Sequence, residues 1–265
     1  MKSFFPRNNL DQISKIALAG LFIAIAVILQ KVLAINYIPV IPFVRISPGG
    51  PAIIIFASIL LGPWYGLLVG AASDIIGFAL FDASGFGFFP TITLIYALLG
   101  LLPYFVFSLF KKVRSNKLSL SFIIAFMAIS LTIISIVLFA NDTLTLFNNI
   151  YDITLLMRIL IPSIMLLLFV CLLVFIILYN RRVRTNNEDL PLYPAQTSFA
   201  LIIVELVVMV IFGSLMKAIA FGFETFWVIL FSQLVIMFVN IPLNTIVITI
   251  LVKVMSKHFL KKSED

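Results

Sequence analysis

Few residues in this chain are able to do chemistry. Most of them fall between positions 45 and 93, in RISPGGPAIIIFASILLGPWYGLLVGAASDIIGFALFDASGFGFFPTIT. Arg45 opens the stretch and is followed by Ser47 and a Pro/Gly cluster. Asp74 is an acid set in an apolar run, Phe86, Phe88 and Phe89 occupy a Gly-rich loop at 82–90, and Thr91 and Thr93 follow it. A guanidinium holds a carboxylate through a bidentate fork. Aromatic rings stack on a planar ring, and a carboxylate accepts from ring N–H groups. Such a set suits capture of a small anion with a flat ring. An acid inside a membrane helix costs about 2.5–3.5 kcal/mol even on a lenient scale, so Asp74 is expected to point inward. Ligand contact and bonding to a helix end both stay open for it. Thr91 and Thr93 either cap a helix or face a ligand.

Motifs for other chemistry are missing from the sequence. It has no G-x-x-x-x-G-K-[ST], so ATP binding by this chain is not expected. The one histidine, His258, lies in the tail, and neither H-E-x-x-H nor G-x-S-x-G occurs. No catalytic residue, metal site or cofactor is expected. The single cysteine excludes an internal disulfide, and Cys171, within LFVCLLVF, is expected to be a buried, inert thiol.

The elements that position these residues must be membrane spans. The chain is 63% hydrophobic and 11% charged, against roughly 45–50% and about 25% for soluble domains. Its apolar runs approach or exceed the roughly 20 residues that cross a bilayer. They lie at 13–35, at the glycine-rich run that begins at Gly66, and at 91–110, 118–140, 153–179, 199–220 and 226–255. A further piece at 51–61 is short for a crossing, so about eight spans are expected. Gly66, Gly70, Asp74 and Gly77 share one helix face and form a groove for a neighbouring helix. Ala17, Gly20 and Ala24 make a face of small residues on the first span, suited to close helix approach. Glu205 and Lys217 lie within the span at 199–220, and NIPLNT (240–245) within the last.

Net charge is +7, but the basic residues sit between spans, which is a topology signal and no sign of nucleic-acid binding. With the N-terminus inside, the inner connectors carry Lys111, Lys112, Arg114 and Lys117, then Arg181, Arg182 and Arg184, then the Lys-rich tail. The outer connectors carry Asp82, Asp142, Asp152 and Glu224. Both termini are therefore expected to be cytoplasmic. Arg45 is the exception on the outer side, and it puts the polar site there. Trp64 falls on the inner side as an interface anchor, and Arg158 is expected to reach the interface by snorkelling.

The ordered pattern RIS…LLGPWYGLLVGAASDIIGF…GFFPTIT resembles the substrate-binding S component of energy-coupling-factor (ECF) vitamin transporters, and most of all the folate-type subfamily. NIPLNTIVITILVKVM resembles that subfamily's last helix. The resemblance covers residues 13–110 and 226–255. It implies an all-α polytopic membrane bundle, with a six-helix core plus one additional hairpin in this longer chain. The whole of 1–265 reads as one membrane domain, with an S-component-like half at 1–110, the additional hairpin at 118–180 and a C-terminal hairpin at 199–255. The loop here reads Phe89-Pro90-Thr91, where the family often has Pro-Gly-Phe-Thr. By the same resemblance the partners are a membrane coupling (T) subunit and two cytosolic ATPases, with Ala17, Gly20 and Ala24 docking on the coupling subunit. The expected ligand is a folate-like anionic vitamin held by Arg45, Ser47, Asp74, Phe88, Phe89, Thr91 and Thr93. Another carboxylate vitamin such as pantothenate, and a stand-alone secondary transporter, are the competing expectations. Neither an embedded enzyme nor a scaffold accounts for the clustering of polar residues.

Overall fold

A bilayer leaves the backbone no water to bond to, so each crossing must be a helix or lie shielded by other helices. The computed structural model describes residues 10–34, 47–81, 87–110, 116–146, 149–185 and 192–261. Among them, seven helical stretches are long and apolar enough to cross a membrane, and Gly50–Leu61 is a shorter eighth. The fold is an all-α polytopic bundle, as the composition requires.

Helix α1 (Gln12–Val27) passes into a π-helical turn, Ile28–Val32. Residues 47–49 then turn through Gly49, whose φ of 78° lies in the left-handed region that glycine enters at little cost. Helix α2 (Gly50–Leu61) begins with a proline in its first turn and ends at Gly62 (φ 103°). All twelve of its residues are buried. A helix of that length spans about 18 Å, short of the roughly 30 Å apolar core. It is sustained because α1, α3 (Pro63–Phe81), α4 (Pro90–Phe110) and α9 (Phe226–Lys261) pack around it. Gly62 alone makes the reversal expected of the GPWYG segment, and Pro63, Trp64, Tyr65 and Gly66 already belong to the first turn of α3. Trp64 is 73% exposed at that end, as an interface anchor should be.

Helices α5 (Asn116–Ala140) and α6 (Leu155–Thr185) form a hairpin. The sequence reads their connector, 141–152, as a polar loop with two acids. Instead it pairs as two antiparallel strands, β1 (Thr143–Leu146) and β2 (Asn149–Asp152). Arg158 closes the base of this ribbon. It forms an ion pair with Asp142 and donates to the Asn141 carbonyl at 3.1 Å. Its guanidinium is thus held by groups of the connector itself. The last pair of spans comprises α7 (Pro194–Glu205), a π-helical stretch (Leu206–Phe212), α8 (Gly213–Phe221) and α9.

Two apolar cores result. One joins α1 to α4 with α7 and α9, and the other joins α5 and α6 to α7 and α9. Phe199 links them, meeting Phe110 and Phe122 edge-on, each with ring centroids 4.5 Å apart. Cys171 corrects an expectation, because the structure leaves it exposed on α6. Lipid is as apolar as a protein core, so a cysteine in an apolar run meets a similar environment on either face.

Candidate functional site

The glycine face of α3 is where the chain departs most from ordinary side-chain packing. A Cβ on Gly66 would lie 2.2 Å from the Gly100 carbonyl oxygen of α4, and one on Gly70 would lie 2.0 Å from that of Tyr96. α3 and α4 therefore touch backbone to backbone, as small residues permit in membranes. Ser58 of α2 enters the same crossing and accepts the Tyr104 backbone N–H at 3.2 Å. Tyr104 follows Pro103, where the helical ladder of α4 is already interrupted.

Asp74 lies further along this face and is buried. Its Oδ2 accepts the Thr93 hydroxyl at 2.7 Å, and its Oδ1 lies 3.7 Å from Lys31 Nζ. Lys31 sits in the π-helical turn that ends α1, and Gly77 of α3 makes room for it. A Cβ at Gly77 would come within 2.9 Å of both Cγ and Cε of the lysine. Thus α1, α3 and α4 meet through one cation, one carboxylate and one hydroxyl. This meeting point lies in the half of the bundle where α1 ends and α4 begins.

The other expected site residues surround it unevenly. Thr93 donates its hydroxyl to Asp74. Thr91, in the same first turn of α4, has a buried hydroxyl with no hydrogen-bond partner among the described residues. Phe88 is exposed and packs against Phe78, ring centroids 5.3 Å apart. Phe89 is half-buried just before α4. Ser47 is half-buried at the turn into α2, and next to that turn Gly50 packs against the Gln30 side chain. Arg45 and Asp82 to Phe86 lie outside the described residues. Ala17, Gly20 and Ala24 are all exposed on α1, and nothing lies within 4 Å of a Cβ built on Gly20.

Two polar groupings were not anticipated from the sequence. Lys31 is one. Its signal was a cation inside an apolar run, and the end of a span hid it. The other lies between the last two spans, where Asn244 of α9 donates to Glu205 Oε1 of α7 at 2.7 Å, and both residues are buried. The π-helical stretch of this span begins directly after Glu205. Near it, Ser198 and Thr245 share a hydrogen bond at 3.0 Å. An acid in one apolar span and an asparagine in the next were the available clue. Asn244→Ala is expected to take one of its donors from a buried carboxyl group. The expected cost is about 1–3 kcal/mol, read as a lower thermal midpoint of the purified protein.

A protein-family model for the substrate-specific component of ECF transporters matches residues 14–179, more than half of the chain. Searches of curated proteins and of solved structures each returned no match.

Proposed function

The chain belongs to the family of ECF-transporter substrate-specific components, and from that premise we propose that it captures a folate-like anionic vitamin at its outer face. It is a multi-pass protein of the cell membrane and, as a family member, a transport subunit and not an enzyme. The family works with a membrane coupling subunit and ATPase subunits.

The observation that supports an outer anion site most strongly is the meeting of Lys31, Asp74 and Thr93 across three helices. Polar side chains are costly in a bundle surrounded by lipid and collect where a ligand or ion is handled. Phe88 supplies an exposed ring for a planar ligand beside α4. In this reading Arg45 adds a guanidinium for the ligand's carboxylate, while Ser47, Phe89 and Thr91 line the same mouth. Energy comes from partner ATPases, with Ala17, Gly20 and Ala24 as the face that docks on the coupling subunit.

Packing supports a six-helix body made of α1 to α4 with α7 and α9, because these share one core. The α5–α6 hairpin lies on its flank and is the proposed addition. The family match instead runs through α6 and ends at residue 179. Apolar spans align with one another on composition alone, so that endpoint does not decide which hairpin is the added one.

The test is equilibrium binding of radiolabelled folate to the purified protein and to Arg45→Ala. Losing a charged, bidentate partner is expected to weaken binding by about tenfold to a hundredfold. Unchanged binding would remove Arg45 from the site. Mass spectrometry of a co-purified ligand distinguishes folate from pantothenate.

A further inference from the structure

We propose that Lys31 is a second cation, beside Arg45, that receives carboxylate oxygens of the ligand, and that Asp74 is the counter-ion it leaves to do so. This rests on the reading of an outer anion site and assigns the residue at its centre.

The first reason is unfilled bonding capacity. An ammonium group has three N–H donors. Asp74 Oδ1 is 3.7 Å from its Nζ, beyond hydrogen-bond reach, and no hydrogen bond to Lys31 is found among the described residues. Yet the lysine side chain is only 13% exposed. A charge held away from water without hydrogen bonds is costly, so among the described residues this arrangement leaves room for a further acceptor. Asp74, by contrast, keeps the Thr93 hydroxyl at 2.7 Å and stays bonded if the lysine turns away.

The second reason is that an apolar side chain would serve a purely structural role better. The groove opposite Gly77 receives the aliphatic stem of Lys31. A leucine or methionine there would fill it without bringing in a charge, and buried ion pairs are on average no more stabilising than apolar residues of similar volume. The third reason is local backbone. Lys31 sits in a π-helical turn, a distortion that appears frequently at functional sites. A fourth is the buried hydroxyl of Thr91, without a partner among the described residues, in the first turn of α4, the turn that also supplies Thr93. A lysine ammonium and a hydroxyl are both groups that a carboxylate accepts from.

The test uses the full chain in lipid nanodiscs, titrated calorimetrically with folate, with pantothenate and with pterin lacking any carboxylate. Lys31→Met is expected to weaken carboxylate binding by at least about thirtyfold, with little effect on uncharged pterin. Asp74→Asn keeps an oxygen for the Thr93 hydroxyl and removes the competing charge, so carboxylate binding is expected to tighten severalfold. The double variant Lys31→Met/Asp74→Asn leaves no unpaired charge. It should melt like the wild type and still bind carboxylates weakly, and Lys31→Arg should restore most of the affinity. Wild-type affinity in the double variant would reduce Lys31 to a structural partner of Asp74 and overturn the proposal. Folate failing to bind where pantothenate binds corrects the vitamin alone, and the Lys31 variants are then judged on pantothenate. Wild-type protein that binds neither carboxylate overturns the anion reading and this inference together.

Discussion

Gly100→Ala is expected to lower the thermal midpoint of the purified protein by about 6–12 °C, taking roughly 3 kcal/mol for the clash and 2–4 °C per kcal/mol. The reason is reciprocal backbone contact. A Cβ on Gly100 would lie 2.0 Å from the Gly66 carbonyl oxygen, and one on Gly66 would lie 2.2 Å from that of Gly100. Neither obstacle is a side chain that can rotate away, so the helices must separate by more than an ångström. Lipid offers no hydrophobic drive to press them together, and close packing is itself what holds membrane helices in contact. The upper end of the overpacking range is therefore appropriate. Gly66→Ala/Gly100→Ala should cost less than the sum of the single changes, because one separation relieves both clashes. Gly20→Ala is the control, since a Cβ there meets nothing within 4 Å. A Gly100→Ala protein melting within a degree of the wild type would mean that α3 and α4 do not touch in this way.

The same glycines show what the sequence made legible. Gly66, Gly70, Asp74 and Gly77 at helical spacing announced a groove with an acid in it, because a helix face follows from residue spacing alone. The structure fills that groove with α4 and with Lys31. The partners were not readable, because spacing fixes a face and says nothing of what comes to lie opposite. Lys31 looked like the end of a span, and only the position of α1 against α3 shows that its ammonium reaches Asp74. Glu205 was visible as an acid in an apolar span, but its bond to Asn244 depends on how α7 and α9 are staggered. Cys171 shows a different limit. In soluble domains a polar stripe marks the outward face, whereas here both faces of α6 are apolar and hydropathy does not separate lipid from core. The short α2 was legible as a piece at 51–61, and its complete burial explains how so short a helix persists. The strands β1 and β2 depend on register across a short turn, and nothing in the composition of 141–152 announced it.

Gly20→Phe is expected to abolish substrate uptake while leaving substrate binding intact. α1 has two unlike faces. Ala19, Phe22, Ala26 and Val27 are buried against the bundle, whereas Ala17, Gly20 and Ala24 are exposed. The space around Gly20 is open, so a phenylalanine there strains nothing in the isolated chain. A small face of this kind contributes little by meeting lipid, since larger side chains such as those of Ile13, Ile16, Leu21 and Ile28 cover lipid better. Its advantage appears when another helix approaches closely. If that helix belongs to the coupling subunit, a phenyl ring at position 20 holds the two apart. Losing roughly 3 kcal/mol of close packing then weakens the association by about a hundredfold. The measurements are co-purification with the coupling and ATPase subunits, ATP-driven uptake into proteoliposomes, and ligand binding to the isolated variant. Uptake falling to background with binding unchanged supports docking through this face. Full uptake by Gly20→Phe would show that the face meets only lipid and that the coupling subunit approaches from another side.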